Sequence, residues 1–324
     1  MKGISKRRPH GLGDPLLGEV MKAHGLDELP LWKSRPKAAL ACMARWQELA
    51  KDRDGPVAAK GAGTADAAAA ATTTTKEFTE EIKAHARALG ADAVGCAELT
   101  PIMLNDNADL AHRNIIAMIV HEDYNVVLGG PRAIERVSLG TYVRCAEIAT
   151  ALAAHIRSLG YPAIAHHNGS DDIQAIPAML AAGFGELGKH GSLIHPEWGA
   201  SHRPGFVTTD LPLEYDAPVV FGVQDTCATC NLCVNNCPGD AIPMHDHVVT
   251  EGVKRWLTDV EKCYVYSRLR EEYCHICVDV CPYIHKVNRD PVRKQTYKSY
   301  MKARKERGYS TPAWFVDDDT AAAE

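Results

Sequence analysis

The cysteines limit what this chain can fold into more tightly than any other feature. Eight of the eleven fall between Cys227 and Cys281, in two runs. The first reads Cys227-x-x-Cys230-x-x-Cys233-x-x-x-Cys237-Pro238; the second is Cys263, then Cys274-x-x-Cys277-x-x-x-Cys281-Pro282. A 4Fe-4S cluster takes three thiolates from one tight loop and a fourth from elsewhere, and in the two-cluster pattern the last cysteine of each run serves the other cluster. The spacing therefore predicts Cys227, Cys230, Cys233 and Cys281 on one 4Fe-4S cluster, and Cys237, Cys263, Cys274 and Cys277 on a second. Structural zinc also uses Cys-x-x-Cys pairs, but not a third cysteine three residues on, nor a doubled x-x-x-Cys-Pro ending. Disulfides fit poorly with such local crowding and with the lack of a secretory signal. Cys42, Cys96 and Cys145 stand singly and read as buried spectator thiols.

At 324 residues the chain is far too long for a free ferredoxin. The part before Cys227 alone is long enough for one sizeable α/β domain. Net charge is −5, and the basic runs Lys6 to Arg8 and Lys302 to Arg307 lack flanking aromatics on which bases would stack, so no nucleic-acid partner is expected. No apolar stretch approaches the length of a membrane span. Pro9-His10-Gly11 stands where a twin-arginine export signal would need its apolar core, so a cytoplasmic protein without a membrane partner is expected.

Five segments follow from composition and periodicity. Residues 1–55 form a helical arm carrying Trp32 and Trp46, with a buried stripe through Ala38, Cys42, Trp46 and Leu49. Residues 56–75 are nearly all Ala, Gly and Thr, too poor in large apolar groups to offset their ordering entropy, and read as a linker. Residues 76–220 alternate between the two periods. Phe78, Ile82, Ala86 and Leu89 mark one helix; residues 91–97 and 114–120 read as strands. Val143 to Leu159 give the stripe of a long helix over 140–159, stopped by Gly160. A strand over 161–166, a helix from a Ser170 or Asp171 cap to Ala182, and strands at 192–195 and 205–209 complete an α/β domain. Residues 221–290 are the two-cluster ferredoxin-like domain, and 291–324 a tail.

The run Gly183-Phe-Gly-Glu-Leu-Gly-Lys-His-Gly191, the following Ser192-Leu-Ile-His-Pro-Glu-Trp-Gly199 and the later Arg203-Pro-Gly-Phe-Val-Thr-Thr-Asp-Leu-Pro-Leu213 lead into the cysteine runs. Together they resemble the reductive dehalogenases and, more distantly, the epoxyqueuosine reductases, over about residues 76–286. The resemblance implies a nitroreductase-like core holding base-off cobalamin against the clusters. It implies electrons passing from cluster to cluster to reduce Co(II) to Co(I), and reductive cleavage of a small-molecule organohalide, most simply an aromatic one. Gly185, Gly188, Lys189, His190, Gly191 and Ser192 are then the cobalamin contacts. Glycines allow close approach of backbone to a large planar ligand, although they equally suit a tight helix-to-strand turn.

The family's proton donor maps to Tyr142, its supporting asparagine to Asn168 and its cation to Arg203. A phenol with a pKa near 10 gives up its proton poorly at neutral pH, and a neighbouring guanidinium stabilises the phenolate as it forms. Trp198 and the tail's Trp314-Phe315 are candidates for an aromatic substrate wall. His166, His167, His190, His195 and His202 have irregular spacing that does not suit a histidine metal site. Lacking a fused flavin reductase, the chain is expected to take electrons from an external ferredoxin or flavoprotein. Two other readings stay open. Asp171 and Asp172 stand where the epoxyqueuosine reductases carry an aspartate, which suits a tRNA-modifying enzyme, although the negative charge and the short stretch after Cys281 oppose it. A non-catalytic electron carrier or corrinoid-handling protein is the other.

Overall fold

The computed structural model describes residues 37–58, 74–105, 108–123, 131–168, 170, 172–250, 253–269 and 274–285. Trp32, most of the predicted linker, Gly169, Asp171 and the tail with Trp314-Phe315 lie outside the described residues. Four strands form the central sheet: β1 (Ala93–Glu98), β2 (Asn114–His121), β3 (Ala163–His166) and β6 (His202–Thr209), in the order β1-β2-β6-β3 and antiparallel throughout. Central β2 is buried on both faces, which is why Asn114 to Val120 reads as an unbroken apolar run rather than an alternating one.

The two faces of β2 divide the core. Ile116, Met118 and Val120 face helices α2 (Thr75–Ala88) and α3 (Pro131–Ser158), among Ile82, Ala86, Leu152 and Ile156. Ile115, Ala117 and Ile119 face the other way, toward α4 (Ala175–Ala181) and the short hairpin β4 (Glu186–Leu187) with β5 (Leu193–Ile194). Ile82, Leu152 and Ile156 are fully buried. Each such side chain contributes about 1.5–3 kcal/mol relative to exposure. Thr74 and Glu77 close a capping box at the start of α2. The arm helix α1 (Lys37–Leu49) packs Trp46 and Leu49 on Leu139 and Ala146 of α3, so this described part of the arm is docked on the long helix. Cys96 and Cys145 are buried, as expected of spectators; Cys42 is half-buried against the α1–α3 contact.

Two helices differ from expectation. The long helix begins at Pro131, not Gly140. It runs through Gly140 because a Cβ there would meet no atom within 4 Å, while Ile134 and Leu139 extend the buried stripe backwards. The next helix begins at Ala175 with Gln174 as N-cap and no side-chain cap; Ser170 instead bonds back to His167.

The cysteine-rich part, with α5 (Val223–Thr229), α6 (Leu232–Asn235), hairpin β7 (Val248–Thr250) and β8 (Val253–Arg255), α7 (Val260–Leu269) and α8 (Ile276–Asp279), is packed directly on the core. Ile194 shares a cluster with Val223, Cys227, Trp256, Cys281 and Tyr283. The fully buried Glu186 of β4 accepts from the backbone N–H groups of Phe221 (2.6 Å) and Val223 (3.1 Å).

Candidate functional site

A cavity of about 340 Å³ opens where the end of β3, the start of α4, β5, the start of β6 and the middle of α3 meet. Tyr142, Asn168 and Arg203, distant in sequence, all line it, as does Ser192. His166, His167, Asn105 and Gln174 add polar groups; Ile173, Ile176, Met179, Leu193 and Phe206 supply an apolar wall.

Arg203 is the most constrained of these. Its guanidinium carbon stands 5.2 Å from the centre of the Tyr142 ring. Its Nε is 3.1 Å from Glu122 Oε1, one terminal nitrogen donates to Ser138 Oγ at 3.0 Å, and the other donates to the His202 carbonyl at 3.2 Å. Glu122 and Ser138 are themselves buried. The Glu122 backbone N–H donates to Ser201 O at 2.9 Å, which ties the end of β2 to the residue preceding β6. Trp46 meets Tyr142 edge-on at 6.1 Å, so the arm helix fixes the other side of the phenol. Tyr142 sits in the body of α3 rather than near its start.

His166 bonds Asp172 Oδ2 through Nδ1 (3.1 Å) and Thr208 Oγ1 through Nε2 (2.9 Å), and His112 Nδ1 reaches the same hydroxyl (2.9 Å). The order Asp–His–Thr imitates a hydrolase triad, but Thr208 is fully buried within β6 and reaches no substrate. Arg53 pairs with the same Asp172 carboxylate. The hydrogen bond from His166 first, and then the Arg53 charge, hold Asp172 below the usual carboxylate range against its partial burial.

The glycine-rich run forms the β4–β5 hairpin. Its glycines are required by the hairpin's own packing: a Cβ at Gly185 would stand 2.1 Å from Ile194 O, and Gly191 (φ +84°) would press on Thr258 Oγ1 at 2.9 Å. Gly185, Gly188, Lys189, His190 and Gly191 do not line the cavity; of the six expected cofactor contacts only Ser192 does. Lys189 turns to the cysteine loops instead, donating to Asn231 Oδ1 at 2.9 Å. Trp198, expected in a substrate wall, stacks on His195 at 4.2 Å and lies beside His121, outside the cavity lining.

The clustered cysteines act on one another across both predicted sets, and among the described residues no group of three or more His, Cys, Asp or Glu side chains is arranged to hold a metal ion. Cys281 feels Cys227, Cys233 and Cys230; Cys277 feels Cys263, Cys233, Cys274 and Cys237. Burial pushes the Cys227 and Cys277 thiols up to about 12, and the neighbouring sulfurs push the same way. Such sets need cations if they are to ionise, and iron supplies them. Cys227, Cys230, Cys233 and Cys281 are buried, whereas Cys237, Cys274 and Cys277 are half-buried and Cys263 exposed. Between the cysteine part and the core, His190 Nε2 and both ring nitrogens of His275 are buried with no hydrogen-bond partner among the described residues. Burial lowers both imidazoles to about 4, so they are neutral. Orphaned polar atoms at this junction fit a polar ligand held there. Glu122, Ser138, Asn231 and Trp256 were missed by sequence reasoning. A lone carboxylate closing the apolar run 114–120 was the one visible signal.

Residues 226–284 match the family model of the 4Fe-4S dicluster domain, a stretch that encloses all eight clustered cysteines. Over a longer stretch the chain is similar to reductive dehalogenases. It is 31% identical over 221 residues to the tetrachloroethene reductive dehalogenase of Desulfitobacterium hafniense, covering 64% of this chain and 40% of the relative. A solved reductive dehalogenase described in terms of B12-dependent dehalogenation superposes with TM-score 0.72 at 29% identity, over 83% of this chain and 40% of that one. A catabolic reductive dehalogenase in complex with 3-bromo-4-hydroxybenzoic acid gives 0.73 at 29% identity, over 85% and 41%. An epoxyqueuosine reductase from Synechococcus sp. is similar over a shorter stretch, 30% identical over 122 residues, 32% of this chain and 34% of the relative. The chain spans 40% to 51% of the length of the tetrachloroethene dehalogenases from Desulfitobacterium hafniense and Sulfurospirillum multivorans. No described helix is long and apolar enough to cross a membrane.

Proposed function

We propose that this chain is a corrinoid- and iron-sulfur-dependent reductase that removes halogen from a small organic substrate, with Tyr142 as the proton donor. One observation carries the reading: Tyr142, Asn168 and Arg203, brought from three distant segments, line one cavity with the guanidinium held against the phenol. The net reaction takes R–X, two electrons and one proton to R–H and X⁻.

Cys227, Cys230, Cys233 and Cys281 would hold the buried inner cluster, and Cys237, Cys263, Cys274 and Cys277 the outer one. The exposed Cys263 supports electron entry on that side, from an external ferredoxin or flavoprotein. His190, His275 and Ser192 would hold a corrinoid, base-off as in the resemblance, at the junction of core and cluster domain. Such a group supplies low-potential electrons able to break a carbon–halogen bond. The chain's own residues do the rest. The Tyr142 hydroxyl hands its proton to the carbon as halide leaves. Arg203 stabilises the phenolate that remains, because a fixed cation nearby favours the charged form. Asn168 orients the substrate. The apolar wall of Ile173, Ile176, Met179, Leu193 and Phe206 suits a small halogenated aromatic, and the volume falls within the usual range for ligand sites. The solved relative with bound 3-bromo-4-hydroxybenzoic acid supports that substrate class.

A tRNA-modifying reductase is less well supported. Asp172, the described member of the aspartate pair that would serve it, is held by Arg53 and His166.

The test is halide release from bromo-hydroxybenzoates by full chain reconstituted anaerobically with iron, sulfide and hydroxocobalamin, using a chemical reductant. Tyr142→Phe is expected to lose about 10²–10⁴-fold in rate, the usual weight of a general acid, while the visible bands of cluster and cobalamin stay as in the parent. Undiminished turnover in that variant overturns the role of Tyr142.

A further inference from the structure

Lys189 occupies the turn between β4 and β5 with 2% of its surface exposed. Lysine is almost never buried to that degree without a carboxylate, since an ammonium in a low-dielectric interior is costly. Among the described residues no carboxylate pairs with it. Its Nζ instead donates to Asn231 Oδ1 at 2.9 Å and lies 5.4 Å from the centre of the buried Trp256 ring. Neither group is charged. Asn231 stands between Cys230 and Cys233, at the cap of α6. The Lys189 backbone N–H points at the Cys227 sulfur, and the ammonium charge reaches both Cys227 and Cys233.

We infer that Lys189 is the fixed counter-ion of the inner cluster and sets its reduction potential, a role that rests on the cluster assignment proposed above. Four thiolates make a 4Fe-4S cluster net negative, and one-electron reduction adds another negative charge. A buried cation therefore stabilises the reduced form more than the oxidised form and raises the midpoint. Asn231 and Trp256 hold the ammonium without neutralising it; a carboxylate in their place would cancel the effect. The consequence is directional: a raised midpoint at the buried cluster favours electron flow inward from the exposed Cys263 side.

The experiment is an anaerobic redox titration of the reconstituted full chain followed by electron paramagnetic resonance, with iron and sulfide measured on each sample. Lys189→Gln is expected to make one cluster at least tenfold harder to reduce at a given potential, about 59 mV for a one-electron couple, and to leave the other cluster's midpoint in place. Unchanged midpoints in a fully loaded Lys189→Gln protein overturn the inference while leaving the cluster assignment standing. Should that variant lose iron, Lys189→Arg decides. A parental potential at parental iron content supports the counter-ion role, and a lowered one overturns it. A parent protein with no reducible cluster signal sinks the cluster assignment and the role of Lys189 together.

Discussion

Arg203 donates to Ser138 and to the His202 carbonyl and ion-pairs with Glu122, so its position over Tyr142 is set in part by Glu122 and Ser138, which lie outside the cavity lining. Glu122 fixes the guanidinium but also offsets part of its charge. Deleting one partner of such a buried pair strands the other, and typically costs about 3–5 kcal/mol. Glu122→Ala should therefore lower the urea midpoint by that order. Glu122→Gln keeps an acceptor for Arg203 and should retain more than half of that stability, with halide release falling by at least tenfold in the alanine variant. Equal midpoints for parent and alanine variant would show that the ion pair is not formed. Part of this scale was legible: the eight crowded cysteines fall inside the matched dicluster domain, and Tyr142, Asn168 and Arg203, singled out by motif, line one cavity. Glu122, Ser138 and Lys189's true neighbours were not, because each role is created by segments that meet only in the fold. A lysine inside a glycine-rich run carries no mark of which side of the turn it will face.

Elements with a clean buried stripe, an unbroken apolar run or a strong stop were the ones sequence patterning located. Strands expected at 91–97, 114–120 and 161–166 appear at Ala93–Glu98, Asn114–His121 and Ala163–His166, and the arm helix appears at Lys37–Leu49. The antiparallel order β1-β2-β6-β3 was not legible, since pairing depends on contacts between segments far apart in the chain. The start of α3 was misplaced because Gly140 mimics a break that helix packing overrides. The β4–β5 hairpin gives this scale its test. Gly185→Ala puts a methyl 2.1 Å from Ile194 O, a backbone atom that cannot swing aside, so the hairpin must shift. Overpacking of this kind costs about 1–3 kcal/mol. Because the same hairpin carries Lys189 toward Asn231, the variant should melt earlier and also show an altered midpoint for one cluster. Gly140→Ala, with open space around its Cβ, should raise helix stability by up to about 1 kcal/mol. A Gly185→Ala protein as stable as the parent would mean that the close approach of the two strands is not real.

Core and cysteine domain share one interior, joined through Ile194 and the bonds that Glu186 accepts from Phe221 and Val223, so buried titrating groups act on the stability of the whole. Burial is the leading cause that lowers His202 to about 3 and His190 and His167 to about 4; neighbouring positive charge pushes His202 and His167 the same way. In the unfolded chain each returns to about 6.5. The unfolded state therefore binds more protons below that value, and stability must rise with pH through the window from about 4 to 6.5. The sign is opposite to that of a histidine held by a carboxylate, whose contribution is greatest in acid. Moving from pH 7.5 to 5.5 should remove about 1.3 kcal/mol for each of these three and for His275, which burial also lowers to about 4, roughly 5 kcal/mol together. Denaturant midpoints measured anaerobically at both values check the total. Acid attack on the clusters would also destabilise the protein in this range, and one variant separates the two causes. His202→Gln leaves every cysteine untouched and removes one of the four titrations, so its loss between pH 7.5 and 5.5 should be about a quarter smaller than the parent's. A full-sized loss in that variant would place the acid sensitivity in the clusters and not in the buried imidazoles.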